Sequence, residues 1–515
     1  AASPTGESGT NASFPPSPSL TRPSTAPLQP PSPRPLARID LSCFPPVPLR
    51  HGVLDPTLPP THHFLTSSMG SRGPAVVPHP GIGTCASRIS LEHKSFGAEL
   101  HRHASNLAGL PVKPLAPHSV AALRKMKKRK VAELETDALV PTKTPPPPAR
   151  ATPSLPTLLL YDERLQRHAH PDGRRHAECP ERLTHIHAAL ESSGLLSRCK
   201  AVSCGEATDA ELRGVHSPFY LQRLAALNNA SRERLQAEAE QYDSIFMNEH
   251  SVDCAMLAAG GVLSMARKIY HGEARNGMAL VRPAGHHADA HSPSGFCLLN
   301  SLAVSAKQLL SEGCERVMIV DWDVHHGDGT QKIFIDDPRV LFVSLHRQDH
   351  QTFPFDNETA EPYVVGKGAG AGFTVNIAWP EPQMGDAEYL YAFQRVVLPL
   401  TRCWKPQMIL VSAGFDAAQG DPIGDCCVSP AGFAQMTRSL MPYADGKLLL
   451  ALEGGYSLQQ VGDCVAACVR ELLGDAPPED SATNDAISCC ESARVAVNET
   501  LRAHAPYWPV LHPES

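Results

Sequence analysis

From about residue 157 onward the chain alternates short apolar runs with longer segments of helical periodicity, and this alternation restricts the possible folds more than any other feature. Short apolar runs are typical of buried strands, and helical segments between them are typical of the crossover connections of a parallel sheet. The sequence therefore predicts an α/β fold. The runs lie at residues 158–160, 278–281, 317–320, 340–345, 408–411 and 448–452, and the helical candidates lie at 300–310, 386–404, 432–441 and 458–473.

Four of these runs are followed directly by a cluster of polar side chains. In open α/β sheets the carboxyl ends of the strands are where ligands bind, so clusters that are far apart in sequence are expected to converge there. The sequence therefore predicts one ligand-binding site at this edge of the sheet. The clusters contain His286 and His287, the segment from Asp321 to Asp328, Asp416, and the segment from Glu453 to Tyr456.

Three of the clustered residues are candidate metal ligands. Asp323 and His325 are two positions apart, so on an extended segment both side chains point to the same side. Asp416 supplies a third ligand from another strand end. Three ligands of O, N and O type leave one position open for water or a substrate carbonyl, which is typical of a catalytic zinc site. Iron(II) and cobalt(II) are compatible with the same ligands.

The remaining polar residues suit proton transfer and charge stabilisation. Two carboxylate ligands cancel the charge of a divalent ion, so the bound water is less acidified and a separate base is needed. His286 and His287 can supply that base, with Asp321 and Asp328 as orienting partners. Tyr456 can stabilise an oxyanion that develops on a carbonyl. Together these groups indicate attack of water on an amide or an ester.

The first 150 residues differ in composition from the rest of the chain. They hold 27 of the 49 prolines, and they carry 17 basic against 8 acidic residues, whereas the remainder carries 29 against 45. A Pro-rich segment without apolar periodicity is predicted to be disordered. The acidic remainder would attract lysine-rich peptides, although an ordinary acidic surface explains the charge equally well. No apolar run approaches the roughly 18 residues of a membrane span.

Six ordered motifs resemble the zinc-dependent histone deacetylases, specifically class II, over roughly residues 157–475. The resemblance implies an arginase-like three-layer α/β fold with a central parallel sheet of about eight strands and a narrow tunnel that leads to zinc. Residues 476–515 are then a short carboxyl-terminal extension. The motifs are Arg282 to Ala288, Gly295 to Cys297, Val320 to Gly327, Val343 to Arg347, Ser412 to Asp416 and Leu452 to Tyr456.

The resemblance also implies individual roles for the clustered residues. Asp323, His325 and Asp416 would be the zinc ligands, and Tyr456 would polarise the substrate carbonyl. His287 resembles the general base and acid, with His286 as its electrostatic partner. The substrate-binding residues implied in the same way are Gly295, Phe296, Phe353, Asp243 and Gly455, and a potassium site is implied for Asp321, Asp323, His325, Ser344 and Leu345.

Three positions depart from patterns in the family. Class II members often carry Pro at the position of Ala284 and Asn at the position of Asp328, and they commonly carry Gly at the position of Phe355. The weakly active class IIa branch carries His where this chain has Tyr456. The presence of Tyr456 therefore favours real deacetylase activity.

Two relatives resemble the chain less well. Arginases use two manganese ions and an additional carboxylate at the position of Gly327. Class II polyamine deacetylases carry Glu in the loop where this chain has Ile423. The loop at 420–426 and the segment 384–389 look closest to the class IIb branch, with a single catalytic domain.

The basic run at residues 124–131 resembles a nuclear import signal, which predicts a nuclear location, with the cytoplasm also open. The expected partners are acetylated histone or other protein tails and corepressor proteins, without sequence-specific reading of DNA and without a membrane. Hydrolysis of N-acetyl-lysine is the leading function. The alternatives are a repressor scaffold that binds acetylated tails with negligible turnover, and a deacetylase of small acylated amines.

Overall fold

The computed structural model describes residues 155–349, 351–355, 357–476 and 488–513. The predicted disordered tail at 1–150 and the basic run at 124–131 lie outside this part of the chain. Within the described ranges, no helix is both long and apolar enough to cross a membrane.

The core of the structure is an eight-stranded sheet in which every pair of neighbouring strands is parallel. The order across the sheet is β2-β1-β3-β8-β7-β4-β5-β6. With β2 and β1 at one edge and β6 at the other, the centre of the sheet is formed by β3, β8, β7, β4 and β5. The strands are β1 (Thr157–Leu160), β2 (Lys200–Val202), β3 (Asn276–Ala279), β4 (Val317–Asp321), β5 (Val340–Arg347), β6 (Thr374–Trp379), β7 (Met408–Ala413) and β8 (Leu448–Leu452).

Every residue of β1, β3, β4, β5, β7 and β8 is buried, so both faces of the sheet are covered, and helices pack against it. In one group α1, α10 and α11 pack together, and in another α5 packs on α6. The helices are α1 (Glu181–Ser192), α2 (Asp209–Leu212), α3 (Pro218–Ala225), α4 (Arg232–Ala239), α5 (Ser251–Tyr270), α6 (Ser301–Ser311), α7 (Asp328–Phe334), α8 (Asp386–Ala392), α9 (Leu398–Trp404), α10 (Pro430–Leu440), α11 (Leu458–Leu473) and α12 (Glu491–His504).

The predicted α/β fold with about eight parallel strands is confirmed, and all six apolar runs form strands. The helical candidate at 386–404 is continuous as well, since a π-helical turn at Phe393–Val397 joins α8 to α9. Two strands, β2 and β6, have no counterpart among the predicted runs. The edge strand β2 is short and largely exposed, and β6 is interrupted by the polar Asn376, so neither forms an apolar run.

Candidate metal and catalytic site

The three predicted metal ligands meet at the carboxyl edge of the sheet. Asp323 and His325 follow β4, Asp416 follows β7, and all three side chains are buried. The Nδ1 atom of His325 lies 2.9 Å from Oδ1 of Asp323 and 3.1 Å from Oδ2 of Asp416. Their potential ligand atoms all lie within 4.8 Å of one another. Two neighbouring strand ends thus bring together groups that are about ninety residues apart in sequence.

Backbone N–H groups hold the two carboxylates in place. The amide of Val324 donates to Asp416 at 2.9 Å, and the amide of Gly454 donates to Asp323 at 2.8 Å. A Cβ atom at position 454 would lie only 2.0 Å from Oδ2 of Asp416, so this close approach requires glycine. The loop after β8 therefore packs directly against the carboxylates of Asp323 and Asp416.

The electrostatics of this cluster fit a divalent cation. Burial, followed by the negative charge of Asp323, raises the pKa of Asp416 to about 7. A metal ion between the two carboxylates would remove their repulsion and repay part of the cost of burying them. Two carboxylates and one imidazole are also a donor set that Zn²⁺ accepts at catalytic sites. The residues present therefore fit the metal that the sequence predicts.

Two histidine–carboxylate pairs lie beside the candidate metal ligands. Nδ1 of His286 lies 3.0 Å from Oδ2 of Asp321, and Nδ1 of His287 lies 2.9 Å from Oδ1 of Asp328. The two imidazole rings are in contact, with centroids 4.0 Å apart. Burial, together with the nearby charge of His286, lowers the pKa of His287 to about 3. A neutral His287 can accept a proton, which a general base requires.

A further buried carboxylate, Glu453, binds the backbone of the segment that contains His286. It was not among the predicted site residues. Its Oε2 atom accepts hydrogen bonds from the amides of Gly285 at 2.7 Å and His286 at 3.2 Å. Burial raises the pKa of Glu453 to about 7. Its place inside the motif that ends at Tyr456 was the available signal, but the motif alone does not show which backbone it contacts.

The predicted aromatic walls adjoin the candidate catalytic side chains. Phe353 packs edge-on against His287 with centroids 4.9 Å apart, and Phe296 packs edge-on against Tyr456 at 6.1 Å. Gly295 adopts φ +50°, and a Cβ atom there would lie 2.5 Å from the ring of His287 and 2.7 Å from the ring of Phe353. Glycine at position 295 therefore leaves room for the rings of His287 and Phe353.

Asp243 lies at the same rim with an exposed side chain. Its carbonyl oxygen accepts a hydrogen bond from the amide of Gly295 at 3.1 Å, and the carbonyl of Ser244 accepts from Phe296 at 2.9 Å. The hydroxyl of Ser244 donates to the Asp243 carboxylate at 3.0 Å. The structure thus joins the Asp243 segment to the aromatic wall, although the two are some fifty residues apart in sequence.

The residues of the predicted potassium site are also neighbours. Asp321 and Ser344 are paired in the β4–β5 register, and Leu345 is the next residue of β5. The hydroxyl of Ser344 is hydrogen-bonded to Nδ1 of His346 at 2.8 Å. Asp321 lies just before Asp323 and His325 in the same segment, and potassium binding stays a prediction.

A buried charge cluster of Glu178, Arg182 and Arg282 holds the loop that carries Tyr456, and sequence reasoning missed it. Arg282 forms two hydrogen bonds of 2.6 Å with the Glu178 carboxylate, and Arg182 forms a third at 3.2 Å. Arg182 also donates to the carbonyl of Gly455 at 2.6 Å and lies 5.2 Å from the centre of the Tyr456 ring. Arg282 begins the motif that ends at Ala288. Its partner Glu178 lies 104 residues earlier, with no local sequence pattern to link the two.

Asp421 anchors the other side of the Tyr456 loop. One carboxylate oxygen accepts from the amides of Tyr456 at 2.6 Å and Ser457 at 3.1 Å, and the other accepts from Ile423 at 2.9 Å. Tyr456 is therefore held by its backbone on one side and by Arg182 on the other. Burial and the charges of Asp416 and Asp323 raise the pKa of its phenol, which keeps the hydroxyl protonated as a donor.

Comparisons with known proteins agree with this architecture. Residues 176–472 match the family model described as a histone deacetylase domain. Histone deacetylase 5 of Arabidopsis thaliana is 41% identical over 365 residues, which cover 69% of this chain and 54% of that protein. Polyamine deacetylase HDAC10 of Danio rerio is 40% identical over 353 residues, which cover 68% of this chain and 52% of that protein.

Among solved structures, the crystal structure of the HDA15 HD domain is similar, with a TM-score of 0.63 and 37% sequence identity. The similarity covers 69% of this chain and 96% of that one. The chain spans about half the length of the curated relatives named above. Since the family model covers more than half of the sequence and the fold agrees with a solved member, the chain belongs to the histone deacetylase family.

Proposed function

We propose that this chain is a zinc-dependent lysine deacetylase that hydrolyses N-acetyl-lysine on histone tails and on other proteins. The observation that carries the proposal is the convergence of three buried metal ligands, the His287–Asp328 pair and Tyr456 at one edge of the sheet. A metal site alone would support any mononuclear hydrolase. The added base and phenol supply the two groups that hydrolysis of an unactivated amide needs.

Each group has a defined task in this proposal. Zn²⁺ held by Asp323, His325 and Asp416 would supply Lewis acidity toward the amide carbonyl and toward water. His287 donates its Nδ1 hydrogen to Asp328, so its other ring nitrogen accepts the proton of the attacking water. The same imidazolium then gives that proton to the departing lysine amine, which releases acetate and free lysine.

Tyr456 and the two phenylalanines act on the substrate directly. The protonated phenol donates a hydrogen bond to the carbonyl oxygen as negative charge develops there. Phe296 and Phe353 bury the methylene groups of the lysine side chain, which contributes apolar binding energy along the stem. The exposed carboxylate of Asp243 accepts hydrogen bonds from the backbone of the bound peptide at the rim.

The proposal is tested by acetate release from an acetyl-lysine peptide. The parent chain is expected to turn over, and Tyr456→Phe is expected to lower kcat by about 10²- to 10³-fold with KM nearly unchanged. Equal inactivity of the parent and the variant, with zinc bound in both, would refute catalysis. Peptide affinity that survives Tyr456→Phe without turnover would instead support the repressor scaffold.

Deacetylation of small acylated amines is a second candidate, because relatives named polyamine deacetylases are about 40% identical. The side chain of Ile423 is exposed in the loop after Asp416, and an apolar group there offers nothing to a second ammonium group. This loop favours the peptide substrate. Comparing acetylspermidine with an acetyl-lysine peptide on one preparation separates the two candidates.

We also propose a nuclear location from the basic run at 124–131, with corepressor proteins as partners. We propose separately that a structural potassium ion binds beside Asp321 and Ser344. Fluorescence microscopy of the full chain with and without this run tests the location.

A further inference from the structure

Lys332 distinguishes the two histidine–carboxylate pairs from each other. Its Nζ atom lies 2.7 Å from Oδ2 of Asp328, one turn earlier on α7, and 3.8 Å from a carboxylate oxygen of Asp289. The Asp321 carboxylate, in contrast, has histidine as its ion-pair partner and no Lys or Arg among the described residues. A permanent positive charge is thus attached to one pair and not to the other.

The first turn of α7 is fixed to the backbone of the histidine motif. The amide of Thr330 donates to the carbonyl of His286 at 3.0 Å, and Asn300 links the Thr330 hydroxyl to the carbonyl of Ala288 through bonds of 3.0 and 3.1 Å. A Cβ atom at Gly329 would lie 2.5 Å from that same carbonyl oxygen. The position of Lys332 is therefore tied to the segment that contains His287.

The Lys332–Asp328 contact differs from an ordinary surface ion pair. The lysine side chain is 50% exposed, but the carboxylate that it reaches is only 7% exposed. An exposed pair would contribute little, because solvent screens both charges. Here one oxygen of a buried carboxylate faces the ammonium group while the other accepts from an imidazole, so removal of the lysine leaves a buried acceptor without its charged donor.

We propose that Lys332 is a positioning residue for catalysis. It holds Oδ2 of Asp328 so that Oδ1 points to Nδ1 of His287, and it keeps this carboxylate ionised as an acceptor. The hydrogen of His287 is thereby fixed on Nδ1, and the other ring nitrogen is left free to accept a proton. The effect on turnover rests on the proposed deacetylase function, whereas the effect on the imidazole does not.

Turnover provides the first test. Lys332→Met is expected to lower kcat by about 10- to 100-fold, the usual range for groups that orient a catalytic histidine, with KM unchanged. Lys332→Arg should restore kcat to within about threefold of the parent, since it returns a charged donor. Arg213→Met removes the arginine of an exposed i,i+4 pair with Asp209, and it is the matched control with unchanged kcat.

The Asp328→Asn background shows whether Lys332 acts through Asp328. An amide oxygen still accepts from His287 and carries no charge for Lys332 to hold, so adding Lys332→Met should change kcat by less than about twofold. The proposal is overturned if the single Lys332→Met variant stays within twofold of the parent. It is equally overturned by the same loss in both backgrounds, or by a rise in KM alone.

Histidine-selective ¹⁵N NMR of the zinc-loaded full chain decides the matter independently of turnover. The His287 signal, assigned by its loss in His287→Gln, should show an Nδ1-bound hydrogen in the parent and a mixture of tautomers in Lys332→Met. An unchanged tautomer in Lys332→Met would overturn the assignment. A shifted tautomer in a chain that releases no acetate would uphold Lys332 and refute the proposed deacetylase function.

Discussion

Two buried charge clusters contact the loop that carries Tyr456, and they satisfy their charges in opposite ways. Glu178 is neutralised within the chain by Arg182 and Arg282. Asp323 and Asp416 instead face each other with His325 as their shared partner, and no Lys or Arg pairs with either in the part of the chain that the structure describes. The arginine cluster is complete by itself, whereas the acidic cluster has the donor set of a cation site.

This difference separates buried charges that hold segments of the fold together from buried charges that form a candidate metal site. A buried ion pair with its hydrogen bonds satisfied holds neighbouring segments together, and Arg182 does so by binding the carbonyls of Glu453 and Gly455. Like charges forced together destabilise the metal-free chain and create affinity for a metal. Substitutions in the two clusters should therefore have opposite effects on stability and on metal content.

The largest effect is expected from Asp416→Asn. Loss of one carboxylate ligand should abolish stoichiometric zinc binding and lower kcat/KM by at least about 10³-fold, since the Lewis acid supplies several kcal/mol to the transition state. In metal-free protein the same change should raise the unfolding temperature, because it removes a repulsive charge. Metal analysis, acetate release and thermal unfolding in chelator measure these outcomes, and a lower unfolding temperature in chelator would contradict the comparison.

Glu178→Gln should affect stability with or without metal. Two guanidinium groups would remain buried without their carboxylate, so the free energy of unfolding should fall by about 3–5 kcal/mol. Denaturant titration in the presence and in the absence of zinc measures this loss. Asp209→Asn, which breaks the exposed pair with Arg213, is the matched control with little change. A zinc-dependent loss in Glu178→Gln would show that the arginine cluster is not independent of the metal.

A smaller effect is expected from pH, because the stability that the Glu178 carboxylate contributes depends on its ionisation. Burial alone would raise the pKa of Glu178, but Arg282 and the other neighbouring positive charges lower it to about 2. A lowered folded-state pKa contributes stability above the unfolded value near 4.5, and that contribution is lost as the pH falls toward 2. The gap in unfolding free energy between the parent and Glu178→Gln should thus be constant from pH 7 to 5 and narrow below about pH 4.5. If this difference in unfolding free energy widened on acidification, the pKa of Glu178 would be raised in the folded chain rather than lowered.

The smallest effect is expected at Ile423, which belongs to neither cluster. Ile423→Glu places a carboxylate at the exposed loop and should raise kcat/KM for acetylspermidine by about tenfold, through attraction of its second ammonium group. Zinc content and unfolding temperature should remain those of the parent. Steady-state kinetics with acetylspermidine and with an acetyl-lysine peptide measure the change. No gain for the polyamine would show that this loop does not select the substrate.

The sequence predicted the acidic cluster but not the arginine cluster, and the reason is physical. Asp323, His325 and Asp416 directly follow apolar strands of a parallel sheet, so the topology rule brings them to one edge. Glu178 lies outside any strand end, and its pairing with Arg282 depends on how the segment before α1 folds back onto β3. Such a contact has no local periodicity from which it can be read.

Apolar character also separates the strands that could be predicted from those that could not. The six strands found in the sequence form apolar runs, whereas β2 and β6 lie at the sheet edges and carry exposed or polar residues. The carboxyl-terminal helix α12 also had no counterpart among the predicted helices. It packs on β6 and contributes Val497 and Leu501 to the core. Packing of α12 on β6 could not be predicted, because β6 itself was not predicted.

Metal removal and reconstitution of the full chain show whether hydrolysis depends on a metal ion. Acetate release from an acetyl-lysine peptide should fall to background as zinc is chelated and return in proportion to rebound Zn²⁺, up to one ion per chain. Asp416→Asn should show neither the metal nor the recovery. Undiminished acetate release from metal-free protein, or full recovery in Asp416→Asn, would show that hydrolysis does not depend on a metal ion at this site.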